Sequence, residues 1–239
     1  MIEFMKSLFN KVFLFLALIF VLSFLIGWYL PIGIEKVEKL DYRDYLFSTY
    51  TVFTQFGFLM FSFIIAFFVN KEYSNKTILF YRLLNYNSVK FFLNKIYVLI
   101  VESVLLVMIM LTIVSVVYQN FSLFPLMMFL LTTVVAQYII IIGLISFLSR
   151  NILLSIGLSI AYWILTYVLV SNSSSLSFLA IFDASNKLYA HIDHVFKTGN
   201  DFISSSNSLL IISYIGCLLL LSIVISTLTN RRWLKLGID

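Results

Sequence analysis

The sequence predicts an all-α polytopic membrane protein with six transmembrane helices. Of its 239 residues, 62% are hydrophobic and only 11% charged, whereas a soluble domain is about half apolar and a quarter charged. The mean hydropathy is +1.03. Six apolar runs each exceed the ~17 residues that a helix needs to cross a bilayer. What is left over is too short for a soluble catalytic domain, so residues 1–239 read as one membrane domain.

The first run, Val12 to Leu30, follows Lys6 and Lys11. It is longer than the ~15-residue apolar core of a signal peptide and no small-x-small cleavage site follows it, so it reads as span one. A polar stretch, 31–49, leads to span two, Tyr50 to Val69. After a basic loop at 70–95 come Ile96 to Val117, Pro125 to Leu148 and Ile152 to Val170, and a segment at 171–208 precedes Leu209 to Thr229. The segment 171–208 has an apolar centre at Leu176 to Phe182. Connections of that length usually carry structure, so short helices over the mouth of the bundle are expected. Cys217 is the single cysteine, which excludes an internal disulfide and a cysteine metal cluster.

Charge sets the orientation. With the N-terminus in the cytoplasm, Lys6, Lys11, Lys71, Lys76, Arg82, Lys90, Lys95, Arg150, Arg231, Arg232 and Lys235 lie inside, eleven of the sixteen basic residues. Lys36, Lys39, Arg43, Lys187 and Lys197 lie outside, together with the acidic Glu35, Glu38, Asp41, Asp44, Asp183, Asp193 and Asp201. This is the positive-inside pattern, with both termini cytoplasmic. It also accounts for the net charge of +5 without nucleic acid as a partner. The richness in Phe, Ile, Leu, Asn and Tyr fits a bacterial protein, and hence a bacterial plasma membrane.

The basic loop carries more than orientation. From Glu72 onward, Tyr73, Thr77, Phe80 and Leu84 recur at helical spacing, and Glu72 and Lys76 stand at i,i+4. One amphipathic helix from Glu72 to Leu84 is predicted, with Lys76 and Arg82 on its flanks. Asn85, Asn87 and Ser88 break it, and Ser88 is placed to cap a second helix that runs through Lys90 and Lys95 into span three. A structured cytoplasmic knob of this size suits a protein partner as well as anionic headgroups.

The stretches "KEYSNKTILFYRLL" and "NSVKFFLNK", with Glu72, Thr77, Ser88 and Lys95, together with the six-span layout, resemble an ABC-2 type transporter permease of the type V exporter kind. Members often carry Gly before the Thr and Pro shortly before the Ser, where this chain has Lys76 and Asn85–Tyr86. The resemblance implies a coupling helix in the loop, docked on a separate ATP-binding subunit, with Glu72, Tyr73, Lys76, Thr77, Phe80, Arg82 and Leu84 as coupling residues. It also implies outer helices that dip back between spans five and six, and a second permease copy or a related permease. None of the glycines is followed by Lys, so a phosphate-binding G-x-x-x-x-G-K-[ST] loop is excluded, and the resemblance implies that ATP and Mg belong to the partner. An amphipathic peptide is the implied cargo, as in small bacteriocin-immunity or phenol-soluble modulin exporters.

Inside the spans the polar candidates are few. Glu102 lies ~10 Å along the helix beyond Lys95, at 1.5 Å per residue. It marks either a functional carboxylate or one paired with a cation from a neighbouring helix. Gln137 is a candidate polar site in span four, and Ser155/Ser159 and Gly157/Ala161 in span five have the spacing of helix-packing residues. His191, Asp193 and His194 lack a third convincing ligand, so no metal is expected. Trp28, Tyr29 and Trp233 read as interfacial anchors. The spans hold neither G-x-S-G nor H-E-x-x-H, which speaks against an enzyme. The alternative is a non-transporting immunity or sensor protein that acts by binding.

Overall fold

The computed structural model describes residues 2–34, 36–37, 39–198 and 202–238. Among the expected outer acids, Glu35, Glu38 and Asp201 fall outside the described residues. All regular structure in the described residues is helical. Helix α1 (Ile2–Phe9) turns at Lys11, whose φ is 59°, into α2 (Val12–Tyr29). A wide π-type turn at Leu30–Ile34 completes span one. Span two is longer than its apolar run. It starts at α3 (Tyr42–Val52), passes a second π-type turn at Phe53–Gly57 and continues as α4 (Phe58–Ser74). The short α5 (Ile78–Leu83) leads to α6 (Ser88–Val117), which is span three, and α7 (Phe124–Leu148) is span four.

Span five is α8 (Ile152–Asn172), and a 3-10 turn at Ser174–Leu179 with α9 (Lys187–Thr198) fills the segment before span six, α10 (Ser205–Leu228). Helix α11 (Asn230–Ile238) closes the chain. Six helical stretches are long and apolar enough to cross a membrane.

Helix α7 is the hub. It packs on α4, α6, α8 and α10, and Leu126, Met127, Leu130, Leu131, Val134 and Ile139 along it have no exposed surface. Spans one and two cross closely at Gly27, where a Cβ would lie 2.7 Å from Thr49 Cα. Span five meets span two through Asn70, whose Nδ2 donates to Ser155 Oγ at 2.7 Å. Of the two small-residue pairs in span five, Ser155/Ser159 is therefore the packing pair, both residues being fully buried. Gly157 and Ala161 point away from the bundle, with nothing within 4 Å of a Cβ at Gly157.

The segment between spans five and six turns back into the bundle. The Leu179 carbonyl accepts from the Tyr162 and Tyr214 hydroxyls at 3.3 and 3.4 Å. Tyr162 sits ten residues in from the end of α8, about 15 Å of helix. Helix α9 lies on α3, burying Leu188, Ile192 and Phe196. Its Tyr189 stacks on Tyr50 with ring centroids 5.9 Å apart and shares a hydrogen bond of 2.6 Å with Thr51. The expected short helices are present, and they pack inward.

Candidate functional site

The site lies at the end of the bundle that holds α1, α5 and α11. Helix α1 is inverted relative to a soluble amphipathic helix. Glu3 and Ser7 are buried on its inner face, with Lys6 beside them, whereas Met5, Leu8 and Phe9 are exposed. The i, i+3 and i+4 spacing puts the three polar side chains on one stripe. That stripe meets the end of α4, the inner side of α5 and the first turns of α6.

Two carboxylates and two ammonium groups meet there. Lys95 of α6, 1% exposed, donates to Glu72 Oε1 at 2.8 Å, and its Nζ lies 2.7 Å from Glu3 Oε2. Lys6 donates to both Glu72 oxygens at 3.0 and 3.2 Å and to the Tyr81 hydroxyl at 2.7 Å. Tyr81 donates in turn to Glu3, and Thr77 donates to Glu72. The faces of Phe68 and Tyr81 lie 4.0 and 4.5 Å from the Lys95 and Lys6 ammonium groups. Burial, and after it the two carboxylates, raises the Tyr81 hydroxyl far above its ordinary pKa, so it stays a donor. With two charges of each sign the cluster is neutral, which makes its burial tolerable. It also ties α1, α4, α5 and α6 into one unit.

Several expectations about the loop change. The predicted single helix from Glu72 to Leu84 is two pieces: Glu72 and Tyr73 end α4, the chain turns at Asn75–Thr77, and α5 spans only Ile78–Leu83. Lys76 is exposed with φ 54°, in the left-handed region that Gly adopts most easily, and it does not pair with Glu72. Long-range cations took its place. Tyr73 is 3% exposed and donates to the Phe147 carbonyl at 2.8 Å, so it faces α7 and not a partner. Asn85, at φ 58°, closes α5, as Asn can after a helix end. Asn87 rather than Ser88 caps α6, accepting from Lys90 N at 2.8 Å, and Ser88 donates to the Ser226 carbonyl of α10.

What remains outside is apolar. Phe80, Leu83 and Leu84 are 70%, 83% and 56% exposed, and Arg82 lies exposed beside them. The inner residues Ile78 and Tyr81 are buried. A groove of about 280 Å³ runs between this crest and α1, lined by Lys6, Phe80, Tyr81, Leu84 and Tyr86. Helix α11 packs on α5 from the other side. Its Trp233 is 1% exposed with its ring 5.6 Å from Phe91, so it is a core residue and not an interfacial anchor. Trp28 and Tyr29, by contrast, are exposed at the end of α2.

Glu102 joins this end without a cation. Ser7 of α1 donates to its Oε2 at 2.8 Å, and no Lys, Arg or His among the described residues pairs with it, so of the two alternatives the cation pairing is not made. Gln137 lies elsewhere, buried at mid-length in α7. On α9, Asp193 pairs with Lys197 at 2.7 Å while His191 and His194 are exposed. Among the described residues no three of His, Cys, Asp and Glu gather as a metal site would require.

Sequence reasoning missed Glu3, Lys6, Ser7 and Tyr81. The one available signal was a Glu and a Lys three residues apart ahead of an apolar span, in a chain where only 11% of residues are charged.

The model of the peptide export permease protein YydJ family matches residues 1–238. The chain belongs to that family. It is 44% identical over 238 residues, 99% of each chain, to the probable peptide export permease protein YydJ of Bacillus subtilis (strain 168). No solved structure gives a significant match. A permease carries cargo rather than converting it, so for a member of this family the buried ion cluster is structural and not catalytic. The family match covers the cluster, the α5 crest and the returning segment alike.

Proposed function

We propose that this chain is the membrane-spanning subunit of an ATP-driven exporter of amphipathic peptides, and that α5 is the coupling helix on which a separate ABC ATPase docks. The observation that carries the reading is the crest Phe80, Leu83 and Leu84, exposed on a helix whose inner face is locked into the charge cluster. Exposed aromatic and aliphatic side chains on a six-residue helix fit a cleft in a protein partner. Because Tyr81 and Thr77 tie α5 to Glu72 and Glu3, displacement of α5 by the partner would move α1, α4 and α6 together. Lys76 and Arg82 flank the crest for acidic or carbonyl groups.

The basic residues gathered at this end support a cytoplasmic face with both termini inside, in a bacterial plasma membrane. ATP and Mg are held by the ATPase in this reading. The apolar outer surfaces of spans five and six, including Leu153, Leu165, Leu220 and Leu228, face lipid or a second permease copy. The ABC-2 class and the peptide cargo rest on the sequence resemblance and on the name of the Bacillus subtilis relative.

The test is co-purification of the ATPase with a Phe80→Ala/Leu83→Ala permease. A central anchor commonly costs ~2 kcal/mol or more when truncated, so association and stimulated ATPase activity should fall while membrane insertion stays normal. Tyr73 is unsuitable for this test because its loss would disturb α7 packing. Unchanged association in the double variant would remove α5 as the docking helix.

A further inference from the structure

Midway along the bundle, where the returning segment reaches inward, lies a small cavity with mixed polar and apolar walls that the docking reading does not use. It has about 30 Å³, room for one water-sized group. Three spans and the returning segment build it. The π-type turn of span two brings Thr54, α7 brings Gln137, α8 brings Tyr162 and Thr166, and the turn after Leu179 delivers Asp183 from outside the spans. Such wide turns are frequent at functional sites because they re-aim side chains within a helix.

Three hydroxyls of the walls donate to the backbone, while the side-chain nitrogens of Gln137 and Trp163 donate to nothing among the described residues. Thr54 donates to the Thr51 carbonyl at 3.0 Å, Tyr162 to Leu179 at 3.3 Å and Thr166 to Tyr162 at 3.0 Å. These hydroxyls have spent their hydrogens on the backbone and keep only lone pairs. Gln137 is 5% exposed and its Oε1 is enclosed without a partner among the described residues. Asp183 is half-buried. Its Oδ1 accepts from Ser185 N at 2.8 Å, and no Lys, Arg or His among the described residues pairs with the carboxylate. A carboxylate brought into a helical bundle beside an unpartnered amide oxygen is costly unless a donor or cation joins them. A water would satisfy Gln137 but leave the Asp183 charge unmatched. One carboxylate balances one positive charge, and Ca²⁺ would need about six to eight oxygens, more than this cavity offers.

We propose that this cavity binds one compact monovalent cation, an alkali ion or the primary ammonium tip of a cargo peptide, with Asp183 supplying the charge and Gln137 Oε1 the second ligand. Trp163 also lines the cavity and reports on its occupancy. The test follows Trp163 emission of the full-length permease in nanodiscs during titration with sodium, potassium, methylammonium and a lysine-containing peptide. Tetramethylammonium, too large for the cavity, holds ionic strength constant.

A saturable change is expected that disappears in Trp163→Phe, weakens ~10-fold or more in Asp183→Asn through loss of the charge-assisted contact, and weakens less in Gln137→Leu. Saturation by sodium or potassium alone identifies a free ion. Saturation by methylammonium and the peptide, but not by alkali ions, identifies the cargo amine. Gln137→Glu keeps the side-chain shape and adds charge, so it should tighten binding and serves if Asp183→Asn does not fold. No saturable response to any of the four, or one that Asp183→Asn and Gln137→Glu leave unchanged, overturns the proposal. The measurement needs no ATPase, so it fails or succeeds separately from the docking reading.

Discussion

The charge cluster and the cavity solve the problem of buried polarity in opposite ways. At the end that holds α1 and α5, Glu3, Glu72, Lys6 and Lys95 neutralise one another within hydrogen-bonding distance. Midway along the bundle Asp183 and Gln137 line a cavity without charged partners among the described residues, and at the far end aromatic contacts such as Phe47 with Phe196, ring centroids 5.4 Å apart, hold α9 on α3. A satisfied cluster fixes the relative positions of four helices, because moving any one exposes an unpaired charge. An aromatic dock such as that of α9 on α3 imposes no such penalty. The cluster end is therefore rigid as a unit, and the α9 end can loosen without exposing an unpaired charge.

The largest effect should come from Lys95→Met, which leaves two carboxylates with one cation. Breaking a buried pair in this way costs ~3–5 kcal/mol, visible as a large drop in melting temperature in detergent, and adding Glu72→Gln should recover part of it. A Lys95→Met permease that melts like the parent would erase the contrast between the ends. Phe196→Ala tests the other end. It removes a buried aromatic ring at a cost of ~3 kcal/mol, but the loss should stay local, as faster proteolysis of α9 with the global melt little changed. A global melt as low as that of Lys95→Met would show α9 to be as integral as the charge cluster. Smallest is Gly157→Ala on the outward face of span five. With open space around it, stability should stay within ~0.5 kcal/mol, and a marked change in self-association would place a second copy on that face.

The six spans were legible because crossing a bilayer demands long apolar runs, and that demand is local in sequence. The fold between and beyond them was less so. Helix α1 hid because its polar side is inward and its Met5, Leu8 and Phe9 outward, the reverse of the pattern that marks a soluble helix. Glu72 has a well-placed Lys76 four residues on, yet it pairs with Lys6 and Lys95, 66 and 23 residues away, because the left-handed turn at Lys76 breaks the helix that would have joined them. Local spacing cannot show such partners. Trp233 followed the same rule: a Trp just beyond the last span suggests an interfacial anchor, and only the packing of α11 on α5 and α6 reveals a core position. The small-residue pairs of span five were visible, but which pair faces inward depends on Asn70 of another span.

The charge cluster also imposes an order of events during synthesis. Glu3 and Lys6 leave the ribosome first, yet Glu72 follows Lys6 by 66 residues and Glu102 follows Ser7 by 95. Chains grow at ~5–20 residues per second, so for several seconds the first helix has polar groups to bury and nothing to bury them against. Only when span three enters the membrane does Lys95 arrive to complete the set. A nascent chain arrested short of Lys95 should keep its first turn open to protease, and one arrested well beyond Glu102 should be closed. Delivery of span three is in this sense the moment at which the beginning of the chain becomes part of the protein.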